Sequence, residues 1–335
     1  MLKKLLLALI CLPAALAGFS AQLTATLQSG DKVTPFYGES SFVDAYNAAI
    51  DGDVITLSPG LFTSAEIQKS ITVIGTYAFN TDDSKTTRFS SLTVSADNVT
   101  LEGLRFTGTL LIKGADQLTV SRCYIPTLGE IEKTEHKYHD NTIITDCLVQ
   151  NFEAMSLSKN AVIRNCSIRY FSNMNETANL ALVENCNVAL FKRYWANSSY
   201  YRQPYAIYRN CFLGLYNQNG RTYTETPTFA PYSPSEFYDN YFGCSYSNGA
   251  TSSYIRYWKI DYGSCTNSGN SSGTWDSISL ESGVPRYDSF TQYDGRGPVD
   301  HKGYPAIPSI TSSEIDTKTD AEGNLHVKIS ATARD

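Results

Sequence analysis

The chain has 335 residues, with 27 Lys and Arg against 33 Asp and Glu and a net charge of −6. An acidic chain lacking a basic stripe is a poor nucleic-acid binder, and none is expected as a partner. After the first 21 residues no apolar stretch is long enough to cross a bilayer, so no membrane insertion is expected. The length suits one domain, or one domain with a small appendage.

At the N-terminus Lys3 and Lys4 precede an apolar run from Leu5 to Leu16, and Ala17 or Ala21 offers a cleavage site. That build predicts a secretory signal over 1–21 and a secreted, periplasmic or surface-associated mature chain. Its removal leaves 25 cations (27 − 2) against 33 acids, a net charge near −8. Residues 41–50 (SFVDAYNAAI) then carry helical spacing, with Ser40 or Ser41 as N-cap and Asp44 in the first turn. DGDVITLSPG (51–60) and IQKSITVIGT (67–76) read as turn, strand, turn, strand.

From residue 99 a phrase recurs: VTLEGLRF (99–106), VSRCYI (120–125), IITDCLV (143–149), VIRNCSI (162–168), LVENCNV (182–188), IYRNCFL (207–213) and FYDNYFG (237–243). Centred on Leu104, Cys123, Cys147, Cys166, Cys186, Cys211 and Tyr241, the copies lie 19, 24, 19, 20, 25 and 30 residues apart. Repeats of this length that run in the same direction, with apolar positions at period two, predict an all-β solenoid. Three residues before the centre stand Val120, Ile144, Ile163, Val183, Tyr208 and Tyr238. Two residues after it stand Ile125, Val149, Ile168, Val188 and Leu213, and five after it Leu128, Phe152, Phe171, Phe191 and Tyr216. The inward parity slips by one just before the centre, which demands a corner there. Asn165, Asn185, Asn210 and Asn240 occupy it, with Gly103, Arg122 and Asp146 in less regular copies; Asn and Gly tolerate the left-handed backbone of a sharp bend. Each copy is strand, corner, strand, as in a parallel β-helix, and a short helix at 41–50 would close the open end of the stack.

The five column cysteines are expected to be buried, reduced packing groups, since a small apolar thiol suits a narrow interior. Cys244 and Cys265 lie outside the column, either bridged to each other or both free. The position two before the centre points outward and reads Ser121, Thr145, Arg164, Glu184, Arg209 and Asp239, a solvent-facing charge ladder. His136 and His139, with Asp140, Glu130, Glu132 and Glu135 nearby, have the residue types of a divalent-metal site. A solvated charged loop accounts for them better, and neither a metal nor a cofactor is expected.

The repeat swells at 126–140, 192–204 and 217–235, always after the second strand and before the next copy. Two of these insertions carry aromatics and cations: Lys192, Arg193, Tyr194, Trp195, Tyr201 and Arg202, then Arg221 and Tyr223. Sugar rings stack on aromatic faces, while Arg and Lys pair with uronate carboxylates. Lys192, Arg193, Tyr194, Trp195, Tyr201, Arg202 and Arg221 are therefore the candidate substrate-binding residues. The competing account is that these side chains pad long loops onto the barrel. Residues 245–275, rich in Ser, Gly, Asn and Tyr, read as irregular loop, and 311–335 as a β-hairpin turning at Asp320–Asn324. The expected layout is a signal at 1–21, a β-helix with its loop-rich region at 22–310 and the hairpin tail at 311–335.

Helix, GDVITLSPGLF, IQKSITVIG and the repeated NCxI phrases together resemble the right-handed parallel β-helix proteins of the pectin-lyase-like superfamily, over about residues 38–245. DGRGPVDHKGYPAIPSI and EIDTKTDAEGNLHVKISATA resemble tails of exported Bacteroidetes proteins. The resemblance implies a right-handed coil and a substrate groove along a loop-flanked face. It names no reaction, because the superfamily holds polysaccharide lyases, glycoside hydrolases, pectin esterases and proteins without known activity. The RxPxxR-like element of pectate lyases, the paired aspartates and His-Gly of polygalacturonase-like hydrolases and the aspartate contexts of pectin esterases are missing from this sequence. The expected partner is a polysaccharide or cell-surface glycan, with uronate-containing chains favoured. Catalysis stays open, by lyase or hydrolase chemistry if present; the alternative is a non-catalytic surface, adhesion or structural module.

Overall fold

The computed structural model describes residues 22–79, 82–130, 140–153, 160–171, 180–191, 206–216, 228–229, 235–245, 259–260, 262–274, 309–315 and 327–332. The chain forms two compact units, residues 1–299 and 300–335. In the second, Ser309–Ile315 pairs antiparallel with Val327–Thr332.

The first unit is built from two long, mostly parallel sheets. The first sheet has 12 strands. It opens with an antiparallel pair, Lys32–Tyr37 on Thr24–Ser29, which lies antiparallel to Val54–Leu57. Thr72–Ile74, Thr100–Glu102, Thr119–Ser121, Ile143–Thr145, Val162–Arg164, Ala181–Glu184, Ala206–Arg209, Glu236–Tyr238 and Thr266–Ser268 follow, each parallel to the last. The second sheet takes the following strand of each coil, among them Thr87–Phe89, Arg105–Phe106, Tyr124–Glu130, Leu148–Phe152, Ser167–Phe171, Asn187–Phe191, Phe212–Tyr216, Tyr241–Ser245 and Ser271–Thr274. The early coils place a further strand in the second sheet, Glu66–Ile67, Leu92–Val94 and Thr109–Ile112; from Tyr124 on, one strand in each sheet per coil makes the solenoid that the repeat predicts. The opening antiparallel pair carries no repeat phrase, and the sequence pattern did not announce it.

Each corner has the left-handed backbone. Gly103, Arg122, Asp146, Asn165, Asn185 and Asn210 have φ of 66°, 55°, 56°, 54°, 52° and 48°. The next corner corrects the sequence reading: it is Asp239 (φ 54°), not Asn240. Tyr208 pairs with Phe237 and Arg209 with Tyr238, so the last copy stands one residue earlier than the phrase suggests. Phe237 is fully buried, which gives the physical reason: this register puts a ring without a hydroxyl inside. Tyr238 rather than Asp239 therefore continues the outward column. A second left-handed corner, at Asn98, Gln117, Asn141 and Asn160, precedes the strands Thr100–Glu102, Thr119–Ser121, Ile143–Thr145 and Val162–Arg164 and was not read from the sequence.

Beyond Ser245 the stack does not dissolve into loop, as the composition suggested. Thr266–Ser268 and Ser271–Thr274 add another coil, cornered at Gly269 (φ 67°). Short polar residues pass here because the backbone ladder holds these strands without a second apolar face.

The helix Ser41–Ala48 has Ser40 as its N-cap residue, but the Ser40 hydroxyl donates to the Asp44 carboxylate (2.7 Å) and makes no bond to a backbone N–H. Phe42, Ala45 and Tyr46 are buried, and the Phe42 ring meets Phe89 edge-on with centroids 5.0 Å apart. No cation sits in the helix's own last turn. Lys69 of the following coil supplies one instead, its Nζ donating to the carbonyls of Tyr46 (2.7 Å), Asn47 (3.2 Å) and Ala49 (2.7 Å). Carbonyls left over at a helix C-terminus attract a cation there.

Candidate functional site

Lys192, Arg193, Tyr194, Trp195, Tyr201, Arg202 and Arg221 all lie outside the described residues, as do His136 and His139. What the fold fixes is where the segments that carry them begin and end. Strands Asn187–Phe191, Phe212–Tyr216 and Tyr241–Ser245 are consecutive neighbours in the second sheet. The chain returns through Ala206–Arg209, Glu236–Tyr238 and Thr266–Ser268, consecutive neighbours in the first. Parallel neighbours stand about 4.8 Å apart, so the three aromatic-rich segments start from one row of strand ends and return to another. Two of them also pair with each other: Thr228 and Phe229 align parallel with Lys259 and Ile260.

The interior beneath is packing, not chemistry. Cys123, Cys147, Cys166, Cys186 and Cys211 are buried free thiols. The backbone N–H of Cys123, Cys166 and Cys186 donates to the sulfur of Cys147, Cys186 and Cys211 respectively, each at 3.4 Å. Burial pushes the thiols of Cys123, Cys166 and Cys211 well above the usual thiol range. Where the cysteines end, asparagine takes over: Cys211 N–H donates to Asn240 Oδ1 (2.9 Å), and Asn240 N–H to Asn270 Oδ1 (2.9 Å). Asn240 Nδ2 donates to the Tyr208 carbonyl at 2.9 Å, as the Cys211 thiol does to that of Val183 at 3.3 Å. Cys265 is buried too. It fills the inward column of Ala206 and Ser235, a role its position outside the cysteine phrase concealed.

Two outer surfaces carry charge. On the first sheet Arg164 meets Glu184 at 2.9 Å and Arg209 meets the same carboxylate at 3.6 Å, the predicted ladder. Glu102 pairs with Arg122 one coil apart. On the second sheet Arg88 and Arg105 stand side by side, and Asp83 takes Arg88 at 2.9 Å and Arg105 at 3.8 Å. The Arg105 guanidinium lies 4.5 Å from the centre of the Tyr124 ring, whose hydroxyl accepts from Gln150 Nε2 at 2.8 Å. Burial raises the Tyr124 hydroxyl above its ordinary range. These groups hold Ala78 and Asp83 to the sheet, and Ala78 and Phe79 pack there against Leu148 and Tyr124.

The repeat aspartates are structural as well. Asp146 and Asp239 are corners, and Asn165 Nδ2 donates to Asp146 Oδ1 at 3.2 Å. Among the described residues no group of three or more His, Cys, Asp and Glu is placed to hold a metal, and no helix is long and apolar enough to cross a membrane. No protein-family model, curated protein or solved structure matches the chain.

Proposed function

We propose that the protein is an exported, right-handed β-helix of the pectin-lyase-like kind, closed at its first coils by the helix Ser41–Ala48, that binds an extracellular uronate-containing glycan. The observation that carries the reading is the convergence just described. Three neighbouring coils send their insertions out from one row of strand ends, and two of those insertions hold Lys192, Arg193, Tyr194, Trp195, Tyr201, Arg202 and Arg221. Rings to stack on sugars and cations to meet carboxylates are then gathered where a chain-like ligand can touch several coils at once. Processing of the glycan by lyase or hydrolase chemistry extends this reading.

The second reading, a non-catalytic surface or adhesion module, draws support from the carboxylates. Asp146 and Asp239 are held at left-handed corners, where a catalytic acid and base would be poorly aimed. A glycan array and a panel of uronate polymers separate the two readings from failure of both. Binding that disappears in Trp195→Ala and Arg202→Ala supports the glycan site. Unsaturated, ultraviolet-absorbing product adds lyase activity. Absence of any binding and any product overturns the glycan reading.

A further inference from the structure

The outer face of the first sheet carries two columns side by side. One reads Thr72, Thr100 and Thr119 in the early coils and reaches Glu236 in a late one. Between them stand Ile143, Val162, Leu182 and Ile207 on four consecutive coils. Their neighbours Ile144, Ile163, Val183 and Tyr208 are buried, so alternation turns these four outward. Ile143 is 41% exposed, and Val162, Leu182 and Ile207 are part-exposed. Strand propensity does not require aliphatic side chains here, since threonine meets the same backbone demand in the coils before. An aliphatic patch bounded by polar residues is the build of a protein–protein interface. The second column, two residues on, reads Thr145, Arg164, Glu184 and Arg209 over the same four coils. With Glu236, the patch holds two cations and two carboxylates and is locally neutral, on a chain of net charge −6.

We propose that this face is the interface of a weak homodimer, in which two copies pack sheet to sheet about a two-fold axis parallel to the strands. A patch of four coils puts the axis between Val162 and Leu182. Rotation about it reverses the order of the coils and lays each column over its own copy. Ile143 then meets Ile207 of the second copy and Val162 meets Leu182, so the four aliphatic side chains cover one another. In the charged column the same rotation sets Arg164 opposite Glu184. Each carboxylate keeps its own Arg164 at 2.9 Å and gains a second guanidinium. Moving the axis half a coil, onto Leu182, would oppose Glu184 to itself and Arg164 to Arg209. Moving it a whole coil would press Glu236 against Val162. Charge thus selects one register. Four strands span only about 19 Å, a small contact, and the association is correspondingly weak. The dimer is independent of the glycan reading.

Sedimentation equilibrium of the full mature protein from about 10 μM to about 1 mM reads the association, with thermal melting to check that each variant folds. The wild type is expected to pass from monomer to dimer within that range. Leu182→Asp should stay monomeric. Ile143→Thr combined with Val162→Thr carries the residue of the earlier coils, keeps the strands, and should weaken association about tenfold or more. Arg164→Glu sets carboxylate against carboxylate and should also weaken it about tenfold, and adding Glu184→Arg should restore it. Thr145→Glu, brought opposite Arg209 of the second copy, should tighten it. A wild type that is still monomeric at about 1 mM overturns the proposal. So does a dimer that survives both Leu182→Asp and the threonine pair, because its interface then lies elsewhere. A dimer lost in Leu182→Asp but indifferent to Arg164→Glu and Thr145→Glu pairs in another register, which overturns the two-fold arrangement.

Discussion

A non-glycine residue in the left-handed region costs about 1–2 kcal/mol, least for Asn and Asp, whose short polar side chains bond locally. The corners meet that cost with a chain of amides: Asn185 Nδ2 donates to Asn165 Oδ1 at 3.4 Å and Asn210 Nδ2 to Asn185 Oδ1 at 2.8 Å. Asn185→Ala loses both the ladder and the tolerated backbone, and urea unfolding should show a loss of about 1–2 kcal/mol. Asn185→Gly keeps the backbone and should lose less. One residue on, the thiols are inert groups. Native protein should resist alkylation at all five column cysteines and react only once unfolded. The sign of their titration gives a second check. Folded pKa values of Cys123, Cys166 and Cys211 lie above the unfolded value of about 8.5. Their contribution is complete below that pH and is lost as pH rises toward the folded values, because the unfolded chain then sheds protons the folded one keeps. Stability should fall above about pH 9, and less steeply in a Cys166→Ala variant.

At the scale of the coil, residues compensate across the interior. The inward position ahead of each first-sheet strand reads Leu118, Thr142, Ala161, while the position five after the centre reads Leu128, Phe152, Phe171, all of them buried. A small residue on one side accompanies a large ring on the other, as close packing requires. Ala161→Leu should overpack its coil and cost about 1–3 kcal/mol, and adding Phe171→Leu should recover part of the loss in a double-mutant cycle. Lys69→Met removes a cation from three helix carbonyls and should cost about 1–2 kcal/mol in the same unfolding assay. Much of this was legible in the sequence, because a repeated coil prints each buried column several times. The cysteine phrase disclosed one corner and three inward columns. The other corner was also written, in Asp97-Asn98, Asp116-Gln117 and Asp140-Asn141, each five residues before the next corner (98 to 103, 117 to 122, 141 to 146). It was harder to see because no bulky neighbour marks it. The slip at Phe237-Tyr238-Asp239-Asn240 arose where Asp and Asn, both suited to a corner, stand together and only burial of Phe237 chooses between them.

Across the whole molecule the coils and their insertions answer to different demands. The coils share a ladder of backbone bonds and a continuous interior, so each depends on its neighbours, as stacked repeats do. Insertions leave that ladder untouched because they all join the end of a second-sheet strand to the start of a first-sheet strand. Chemistry can therefore vary there without disturbing the stack, and loops on a rigid scaffold are where binding residues gather. The central claim is that the coils make the fold and the insertions make the function. Hydrogen–deuterium exchange of the mature protein with and without polygalacturonate tests it most directly. The account predicts added protection confined to 192–205, 217–235 and 246–258, while the earlier coils from 87 to 130 stay unchanged. Added protection centred on those earlier coils, or none anywhere, would contradict it.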